Sequence, residues 1–468
     1  MKKVHFVGIA GTAMATLAAL LRQKGLAVRG SDQNVYPPMS TFLEAEGIET
    51  LQGYDAAHIT PDLDLVVIGN AISRGNPEVE AVLDRKIRYC SLPEAVREHF
   101  LWAARSIVIA GTHGKTTTTS MAAWLLAAGG RDPSLLVGGI AANFGPAGSS
   151  YRLGQGREFV IEGDEYDSAF FDKTAKFLKY LPDIAVIGNI EFDHADIYAN
   201  LDEIRLAFRR LVNLVPGSGL LLLGIDSPEA AAMKAFARSP VETFGLSPEA
   251  DWYAYDLRPS AAGTGFGVRY AGKSFGTFHL PLPGAFNVRN ALAALAVGHS
   301  VGLDQTTLAS GLERFGGVKR RLEELGTVAG VTVYDDFAHH PTAIAETLAG
   351  LRAAHPQARI RAVFEPRSAS SCRRVFQDAF AASFDAADDV TIAAVYRSNL
   401  PEDQRLSAEQ LVADIARTGK PARYVPDVDA IVELLSRDRR EGDQVVIMSN
   451  GGFGGIHGKL LDALRRGQ

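Results

Sequence analysis

The sequence contains little cysteine and no concentrated run of basic residues. Cys90 and Cys372 are the only cysteines among 468 residues, so they cannot form a disulfide framework, and their separation does not fit a metal site. The formal net charge is −6, which argues against nucleic acid or a polybasic membrane contact. We therefore expect a cytoplasmic protein that binds neither nucleic acid nor membrane.

Short repeats and low-complexity segments are also absent from the sequence. A chain of 468 residues is too long for a single hydrophobic core, so its length predicts about three domains. The apolar content of 47% and the charged content of 22% are ordinary for a globular protein. Changes in sequence character place the expected domains at residues 1–104, 105–320 and 321–468.

Two interpretations fit the apolar stretch near the N-terminus. Lysines followed by V-H-F-V-G-I-A-G-T-A-M-A-T-L-A-A-L-L resemble a secretory signal peptide. The alternative is a strand over Val4–Ile9, a glycine turn, and a helix over Ala13–Leu21. His5 is unusual in a signal peptide, and Val28–Asp32 resembles a second strand, so we favour the folded alternative.

Short apolar runs alternate with helical segments along most of the chain, which predicts α/β domains with mainly parallel sheets. Residues 241–280 are instead rich in glycine, threonine and aromatic residues and predict short antiparallel strands. The last third again shows a doubly wound pattern. Predicted strands are Val4–Ile9, Val28–Gly30, Leu65–Ile68, Ser106–Ala110, Phe159–Ile161, Ile184–Ile187, Leu220–Leu223, Val331–Tyr334, Ile360–Phe364, Val390–Ala393 and Val445–Met448.

The segment I-A-G-T-H-G-K-T-T-T-T-S lacks one glycine of the usual phosphate-binding loop. G-x-x-x-x-G-K-[ST] needs glycine at position 109, where this chain has Ile109, and the nearest glycine is Gly111. A strand, a glycine turn and a helix still aim backbone N–H groups at an anion. Lys115 can neutralise phosphate, and Thr116 can bind Mg²⁺. The alternative is a glycine-rich turn with a surface lysine.

Acidic residues follow two of the predicted strands. Glu162 comes directly after an apolar strand, and carboxyl ends of parallel strands are where such folds bind ligands. It is therefore a candidate Mg²⁺ ligand, although Glu162, Asp164 and Glu165 could form a solvated turn. After the next strand, His194 could bind a second metal or a phosphate, or be structural.

The N-terminal G-I-A-G-T-A resembles a degraded dinucleotide-binding loop. Asp32 lies at about the distance where such sites keep an acid for the ribose. The pattern is compatible with NAD, with a nucleotide sugar, or with simple helix–sheet packing. Asn70 ends a later strand and could line the same pocket.

Polar residues also end three strands of the last domain. Asp335, Asp336, His339 and His340 end one strand, with a spacing that suits no closed zinc site. Arg367 and Ser368 end another, and Asn450 with the glycines of residues 451–455 ends the last. Glycine loops beside arginine favour anion or carboxylate binding, although the last loop could be a flexible turn.

Taken together, these motifs resemble the Mur ligases, ATP-dependent amide-forming enzymes of peptidoglycan metabolism. The resemblance covers the whole chain and rests on six motifs in order: A-G-T-H-G-K-T-T-T (110–118), E-G-D-E (162–165), N-I-E-F-D-H (189–194), N-V-R-N (287–290), K-R-R (319–321) and D-D-F-A-H-H-P-T (335–342). It implies a Rossmann-like N-terminal domain that binds a UDP-sugar, a central ATPase domain, and a Rossmann-like C-terminal domain that closes over the central one.

Further stretches resemble the branch of the family that extends UDP-N-acetylmuramate. H-F-V-G-I-A-G-T-A-M (5–14) indicates that branch. Y-P-P-M-S-T (36–41), I-G-N-A-I-S-R-G-N-P (68–77), F-E-P-R-S (364–368) and M-S-N-G-G-F-G-G-I-H (448–457) resemble its recycling enzymes. Those join UDP-N-acetylmuramate to the tripeptide L-Ala-γ-D-Glu-meso-diaminopimelate. The alternative is the alanine-adding biosynthetic enzyme, which has a His-Arg-Tyr-type run where this chain has Arg367-Ser368-Ala369.

Two departures qualify the resemblance. Several Mur ligases carry a carbamylated lysine about fifteen residues after the histidine of N-I-E-x-D-H, where this chain has Arg209. The muramate-adding branch also lacks that lysine. Phe286 precedes Asn287, where the alanine-adding relatives commonly have histidine, so adenine could stack there without a hydrogen bond.

The resemblance implies roles for individual residues in binding ATP and Mg²⁺. Thr116 and Glu162 would hold the first Mg²⁺, and His194 the second. Asn287 and Asn290 would contact adenine, and Asp336 the ribose. The triphosphate would be bound by the loop residues Gly111, Thr112, His113, Gly114, Lys115, Thr116 and Thr117, with Arg320 near the phosphates.

It also implies catalytic and substrate-binding residues. The implied catalytic residues are Lys115, His194, Arg320 and His339, with His339 near the reacting groups. The N-terminal residues implied to bind the UDP-sugar are Gly11, Thr12, Ser31, Asp32 and Asn70. The residues expected to bind the peptide are Arg367, Ser368 and Asn450.

Three other hypotheses remain open beside tripeptide ligation. They are L-alanine ligation, a nicotinamide-binding or nucleotide-sensing role of the first domain, and another ligase of this superfamily such as a folate polyglutamylase. The muramate-like N-terminal domain argues against the last. We expect a monomer or a weak dimer that takes part in cell wall biogenesis.

Overall fold

The computed structural model describes residues 2–36, 39–195, 197–396 and 400–466. Pro37 and Pro38, within the motif Y-P-P-M-S-T, lie outside the described residues. The described residues form two compact units. The first is drawn from Met1–Glu191, Leu201–Trp252 and Ala293–Gly311, and the second from Phe192–Asn200, Tyr253–Leu292 and Leu312–Gln468.

Strands and helices alternate in much of the first half of the chain, as the sequence predicts, but five strands follow one another between Ser134 and Ala175 with no helix between them. The strands are β1 (Lys3–Val7), β2 (Ala27–Asp32), β3 (Glu49–Gln52), β4 (Leu65–Ile68), β5 (Tyr89–Ser91), β6 (Arg105–Ala110), β7 (Ser134–Ala141), β8 (Ser149–Arg152), β9 (Glu158–Gly163), β10 (Asp167–Ala169), β11 (Asp172–Ala175), β12 (Ile184–Ile187), β13 (Leu220–Gly224) and β14 (Val241–Gly245). The helices are α1 (Thr12–Gln23), α2 (Met39–Ala45), α3 (Pro77–Asp84), α4 (Leu92–Val96), α5 (Lys115–Ala128), α6 (Leu201–Val212) and α7 (Pro228–Ala232).

The remaining elements begin with three longer strands. The strands are β15 (Trp252–Ser260), β16 (Gly263–Tyr270), β17 (Lys273–Leu280), β18 (Glu323–Val328), β19 (Val331–Asp336), β20 (Ile360–Phe364), β21 (Asp389–Ile392), β22 (Ala422–Tyr424) and β23 (Gln444–Met448). The helices are α8 (Ala285–Ser300), α9 (Gln305–Glu313), α10 (Pro341–Ala354), α11 (Gln377–Ser383), α12 (Ala408–Arg417), α13 (Val428–Arg437) and α14 (Ile456–Arg466).

The first unit contains two mainly parallel sheets. The N-terminal sheet has the strand order β3-β2-β1-β4-β5 and is parallel throughout. The central strands run in the order β14-β13-β12-β6-β9-β7-β8, where β8 alone among them pairs antiparallel. In both sheets the order reverses beside the first strand, and ligands bind doubly wound sheets at such switch points.

The apolar stretch near the N-terminus forms β1 and α1, as the folded alternative predicts. Four of the five residues of β1 are buried, and so are eight residues of α1 from Met14 to Leu21. Because β1 lies at the centre of a five-stranded sheet, its side chains are covered on both faces. Among the described residues, the helices lack the combination of length and hydropathy that crossing a bilayer requires.

The second unit contains a six-stranded sheet in the order β18-β19-β23-β20-β21-β22. Its strands are parallel except for β18, which pairs antiparallel with β19. Buried residues pack on both faces of this sheet. The same unit includes the antiparallel pair β16–β17.

The prediction of antiparallel strands over 241–280 is wrong for its first part. Val241–Gly245 forms β14, which pairs parallel with β13 from Leu221 to Gly224. The run V-E-T-F-G is too short for periodicity to distinguish a parallel strand from an antiparallel one. The polar and aromatic composition comes from the strands that follow it.

Candidate functional site

The central glycine loop joins β6 to α5 in the first unit. Gly111 has φ +137° and Gly114 has φ +77°, conformations that residues other than glycine rarely adopt. A Cβ atom at Gly111 would lie 3.1 Å from the Asn189 carbonyl oxygen, so the loop passes close to the backbone that follows β12. The shortened loop therefore depends on Gly111 both for its turn and for its packing.

Asn189 fixes the loop through three hydrogen bonds. The Thr112 amide donates to the Asn189 carbonyl (3.0 Å), and the His113 amide donates to Asn189 Oδ1 (2.7 Å). Asn189 Nδ2 donates to the His113 carbonyl (3.1 Å). The loop is thus held in shape before any ligand binds, which reduces the ordering cost of binding.

Lys115 is the first residue of α5, and its side chain is only 10% exposed. Nζ donates to the carbonyl of Gly111 (2.8 Å) and to both carboxylate oxygens of Glu165 (2.8 and 3.1 Å). Burial alone would lower the pKa of Lys115, but the carboxylates of Glu165 and Asp164 raise it above its usual value. Lys115 is therefore a fixed cation at the helix N-terminus.

Thr116 and Glu162 lie together beside the lysine. Thr116 Oγ1 donates to Glu162 Oε1 (2.8 Å), and the Gly138 amide donates to Glu162 Oε2 (2.6 Å). Burial raises the pKa of Glu162, and the neighbouring Asp164 adds to this rise. Thr117, also predicted to contact ATP, is buried on the next position of α5.

Two charged residues beside this site have no assigned role from the sequence. Glu165, only 2% exposed, is the partner of Lys115. Lys176 is buried, and its ammonium lies 3.4 Å from Asp164 Oδ2 and 3.9 Å from the Tyr166 ring centroid. The hairpin β10–β11 places Lys176 beside the acidic turn, and no local sequence pattern predicts this contact.

The N-terminal glycine loop joins β1 to α1 in the same unit. The amides of Gly8 and Ile9 donate to the Ser31 carbonyl (2.9 and 3.0 Å), and the Ala10 amide donates to Asp32 Oδ2 (2.9 Å). Gly11 is the N-cap of α1, and Thr12 is its first residue. The first amides of a helix have no intrahelical partner, so this terminus can receive an anion.

The residues predicted to line the uridine site differ in exposure. Asn70 is exposed, directly after β4, and Asp32 is partly buried at the end of β2. Ser31 is fully buried, and its hydroxyl donates to Glu78 Oε2 (2.5 Å). The structure thus places Asp32 and Asn70 at the carboxyl edge of the N-terminal sheet and turns the Ser31 side chain inward.

Arg209, at the position of the family's modified lysine, lies on α6. Its guanidinium carbon is 4.5 Å from the centroid of the Phe236 ring, which is a cation–π distance. This contact gives the arginine a packing role within the first unit.

In the second unit, Asp193 lies among three histidines. Its Oδ1 accepts from Ser370 Oγ (2.6 Å) and from the His194 amide (2.6 Å). Burial would raise the pKa of Asp193, but His194, His339 and the Ser370 hydrogen bond hold it well below its usual range. His194 has φ +51°, and His339 Nδ1 lies 3.0 Å from the Phe337 carbonyl.

Arg320 and Asp336 are both engaged in local contacts of the second unit. Arg320 Nη2 donates to the carbonyls of Ser449 (2.6 Å) and Gly451 (2.7 Å), and its Nε lies 3.2 Å from Asp335 Oδ2. Asp336 accepts from the amides of Leu322 (2.6 Å) and Ala338 (2.7 Å). Burial raises the pKa of Asp336 to about 6.

Asn287 and Asn290 occupy adjacent turns at the start of α8. Asn287 Nδ2 donates to the Pro283 carbonyl (2.8 Å), and Asn290 Nδ2 donates to Asn287 Oδ1 (3.3 Å). Asn287 is buried, whereas Asn290 is partly exposed. Of the two amides, Asn290 is the more accessible.

The residues predicted to bind peptide come together at the carboxyl ends of β20 and β23. The Arg367 guanidinium lies 3.7 Å from the Tyr396 ring centroid, and Nη1 lies 3.5 Å from Glu365 Oε1. A Cβ atom on Gly451 would lie 2.0 Å from Arg367 Nε, so any larger residue there would displace the arginine side chain.

Beside this arginine are two further predicted residues. Ser368 Oγ donates to Ser371 Oγ (2.8 Å). Asn450 Oδ1 is buried and has no hydrogen-bond partner among the residues that the structure describes. An arginine suits a carboxylate group of a ligand, and an amide oxygen without a partner suits an ammonium group.

Three family models match the chain in order. They are the Mur ligase family catalytic domain over residues 3–101, the Mur ligase middle domain over 109–298, and the Mur ligase glutamate ligase domain over 320–451. The expected domain boundaries at residues 104/105 and 320/321 stay predictions.

Relatives that match nearly the whole chain are ligases as well. UDP-N-acetylmuramate–L-alanyl-γ-D-glutamyl-meso-2,6-diaminoheptandioate ligase of Escherichia coli (strain K12) is 43% identical over 99% of this chain and 98% of its own length. UDP-N-acetylmuramate–L-alanine ligase of Chelativorans sp. (strain BNC1) is 38% identical over 96% of this chain and 95% of its own.

A solved structure is similar along the whole chain as well. The crystal structure of a murein peptide ligase from Psychrobacter arcticus 273-4 is 36% identical, covers 99% of both chains, and has a TM-score of 0.73. Sequence, family models and fold therefore agree over the full length. The chain belongs to the Mur ligase family and is an amide-forming ligase that uses ATP.

Proposed function

We propose that this protein joins UDP-N-acetylmuramate to the tripeptide L-Ala-γ-D-Glu-meso-diaminopimelate during peptidoglycan recycling, with ATP converted to ADP and phosphate. The observation that carries the proposal is the 43% identity over the full chain to a relative named for that reaction. The Arg367, Tyr396 and Asn450 cluster supports it, because a tripeptide with several carboxylates needs more contacts than free alanine does.

A carboxylate is a poor acyl donor because an oxide is a poor leaving group. A muramyl carboxylate oxygen therefore attacks the γ-phosphorus of ATP, ADP leaves, and an acyl phosphate forms. The peptide amine then attacks the acyl carbon, phosphate leaves, and the amine loses a proton. His339 is the residue that we propose near these reacting groups.

The first step brings a triphosphate and a carboxylate together, so the site must supply positive charge. Lys115 and the N-terminus of α5 supply it, and the loop from Gly111 to Thr117 binds the phosphates through its amides and hydroxyls. In this structure Lys115 Nζ contacts Glu165, so ATP must compete with that carboxylate for the ammonium group.

The donor set at Thr116 and Glu162 fits Mg²⁺. The hydroxyl of Thr116 on α5 and a carboxylate oxygen of Glu162, near the end of β9, lie 2.8 Å apart, and Mg²⁺ prefers oxygen ligands. His194 would hold a second ion. When bound, Mg²⁺ neutralises phosphate charge that builds up during phosphoryl transfer.

The UDP-sugar would bind the N-terminal loop. Gly11 and Thr12 begin α1, whose first amides would receive the diphosphate, while Asp32 and Asn70 would lie near the uridine, with Ser31 behind them. In the second unit, Asn287 and Asn290 would bind adenine and Asp336 the ribose. Because both oxygens of Asp336 already accept backbone amides, a ribose hydroxyl would share one of them.

Arg320 is proposed near the ATP phosphates. Its guanidinium now binds two backbone carbonyls, which leaves part of its five-donor fork for an anion. Arg367, Ser368 and Asn450 would bind the peptide.

A second candidate is L-alanine ligation, which is favoured by the 38% identity to a relative named for it. The discriminating experiment supplies purified protein with ATP, Mg²⁺ and UDP-N-acetylmuramate, and then adds tripeptide, tetrapeptide or L-alanine. We expect ADP release and a new UDP-linked product only when nucleotide sugar and a peptide are both present. Tight binding of NAD without binding of the UDP-sugar would instead support a nicotinamide-binding protein.

A further inference from the structure

A fully buried carboxylate lies beneath the N-terminal glycine loop. Glu78 is the second residue of α3, after the N-cap Asn76 and Pro77, and its side chain is 0% exposed. A buried carboxylate is costly unless donors surround it. Neither ATP binding nor peptide binding uses this residue.

Four donors from different parts of the unit converge on Glu78. Oε2 accepts from Ser31 Oγ (2.5 Å) and pairs with His5 Nε2 (3.1 Å). Oε1 accepts from His58 Nδ1 (2.6 Å) and from the Asp55 amide (3.4 Å). Burial alone would raise the pKa of Glu78, but the hydrogen bonds from His5, Ser31 and His58 lower it, so the group is ionised.

These contacts connect α3 to the two strands that carry the loop. His5 is on β1, which leads directly into the loop, and Ser31 is on β2 beside it. The Ser31 hydroxyl donates to Glu78, and the carbonyl of the same residue accepts hydrogen bonds from the amides of Gly8 and Ile9. Movement of Ser31 would therefore move the first two residues of the loop.

We propose that Glu78 is a positioning residue for the nucleotide sugar: it fixes Ser31 and β1 so that the glycine loop presents the first amides of α1 to the diphosphate. This inference rests on the proposed function, in which the N-terminal loop binds the UDP-sugar. In this proposal the inward Ser31 hydroxyl helps to fix the position of the loop and does not contact uridine directly.

A purely structural role predicts something different. Buried ion pairs can be replaced without loss of function when they contribute only to folding. In that case the folded variant would have a lower melting temperature and an unchanged affinity for the nucleotide sugar. A positioning role changes the affinity of the folded protein.

The test uses the full chain and calorimetry with UDP-N-acetylmuramate, together with steady-state kinetics. For Glu78→Gln we expect a dissociation constant and a KM for UDP-N-acetylmuramate raised about tenfold, as expected for the loss of one charge-assisted hydrogen-bond network. We expect kcat and the KM for ATP to stay within about twofold, because the central loop is not touched.

Two further variants make the test decisive. Glu80→Gln lies on the same helix, where Glu80 pairs with the exposed Arg74, and it should behave as the wild type. Ser31→Ala removes only the hydroxyl link and should raise the dissociation constant in the same direction, with a Glu78→Gln/Ser31→Ala double variant less than additive. Ser31→Ala also decides the matter if Glu78→Gln does not fold.

Folded Glu78→Gln or Ser31→Ala protein with wild-type affinity for UDP-N-acetylmuramate would overturn the inference. A wild-type protein that does not bind UDP-N-acetylmuramate would instead contradict the proposed function. The wild-type titration therefore separates the two failures.

Discussion

Two glycine loops in the first unit have the same backbone architecture but carry different charged residues. Each follows the switch-point strand of a parallel sheet and begins a long helix, α1 or α5. In each, a side chain at or just after the end of a neighbouring strand accepts a loop amide: Asp32 accepts from Ala10 (2.9 Å), and Asn189 accepts from His113 (2.7 Å). The backbone of both loops is thus fixed by the same kind of contact.

They differ in charge. The central loop carries Lys115 beside the acids of residues 162–165, whereas residues 8–16 of the N-terminal loop include no charged side chain. A loop of backbone amides suffices to hold a diphosphate that does not react. A loop where phosphate is transferred also needs a fixed cation and metal ligands. From this difference we propose that the first loop holds a diphosphate and that the second takes part in phosphoryl transfer.

The largest expected effect comes from removing the cation of the reacting loop. Lys115→Met should lower kcat for ligation about 1,000-fold, since one preorganised charge at a developing anion has about this effect. The dissociation constant for UDP-N-acetylmuramate should stay near the wild-type value. ADP-release assays and calorimetry check both, and loss of nucleotide-sugar binding would mean that the loops are not separable in function.

A smaller effect is expected from the proposed metal ligand. Glu162→Gln should lower ligation about 100-fold and raise the Mg²⁺ concentration needed for half-maximal rate. Because burial raises the pKa of Glu162, the wild-type rate should also fall as pH falls through that raised pKa, where the protonated carboxyl no longer binds metal. Asp167→Asn, which alters a surface pair with Lys173, is the control. Equal Mg²⁺ dependence of Glu162→Gln and wild type would remove Glu162 from the metal site.

The holding loop is tested by Gly8→Ala. Gly8 has φ +86°, and a Cβ atom there would lie 3.1 Å from the Ile72 side chain. Strain of about 1–2 kcal/mol should weaken UDP-N-acetylmuramate binding about tenfold. The kcat at saturating substrate should not change.

Gly25→Ala supplies the matched control for that variant. Gly25 has φ +89°, and a Cβ atom there would have no atom of the described residues within 4 Å. It follows the C-terminal end of α1, so the substitution carries similar backbone strain away from the loop. If Gly25→Ala weakened nucleotide-sugar binding as much as Gly8→Ala, the effect would come from strain in general and not from the loop.

The smallest effect is expected at the position of the family's modified lysine. Arg209→Met should leave ligation within about twofold of wild type and cost about 0.5–1 kcal/mol of stability through its Phe236 contact. Kinetics and thermal unfolding check this. A tenfold or greater loss of activity in the folded variant would give Arg209 a part in the reaction.

Much of this comparison was accessible from the sequence. The strands before both loops, the turn at Gly111 and the acids at the end of β9 are local patterns, and the structure places Thr116 and Glu162 in contact. Local patterns succeed because a strand, a glycine and a helix occupy consecutive residues. The roles of these residues in binding ATP and Mg²⁺ stay predictions.

The rest depends on contacts between distant residues. Glu165 contacts Lys115, which lies 50 residues away in the sequence, and Glu78 contacts His5, which lies 73 residues away. No periodicity predicts such pairs, because only the tertiary fold brings these helices, strands and turns together. A local signal did exist for Asp336. Aspartate side chains in turns often accept a hydrogen bond from the backbone amide two residues later, as Asp336 does from Ala338.

The most direct test measures kcat/KM for the tripeptide and for L-alanine with one preparation of the protein, at fixed ATP, Mg²⁺ and UDP-N-acetylmuramate. We expect the tripeptide to be favoured by about 100-fold or more, because binding sites built around several polar contacts discriminate strongly against ligands that lack them. Faster turnover of L-alanine than of the tripeptide would contradict the proposed function.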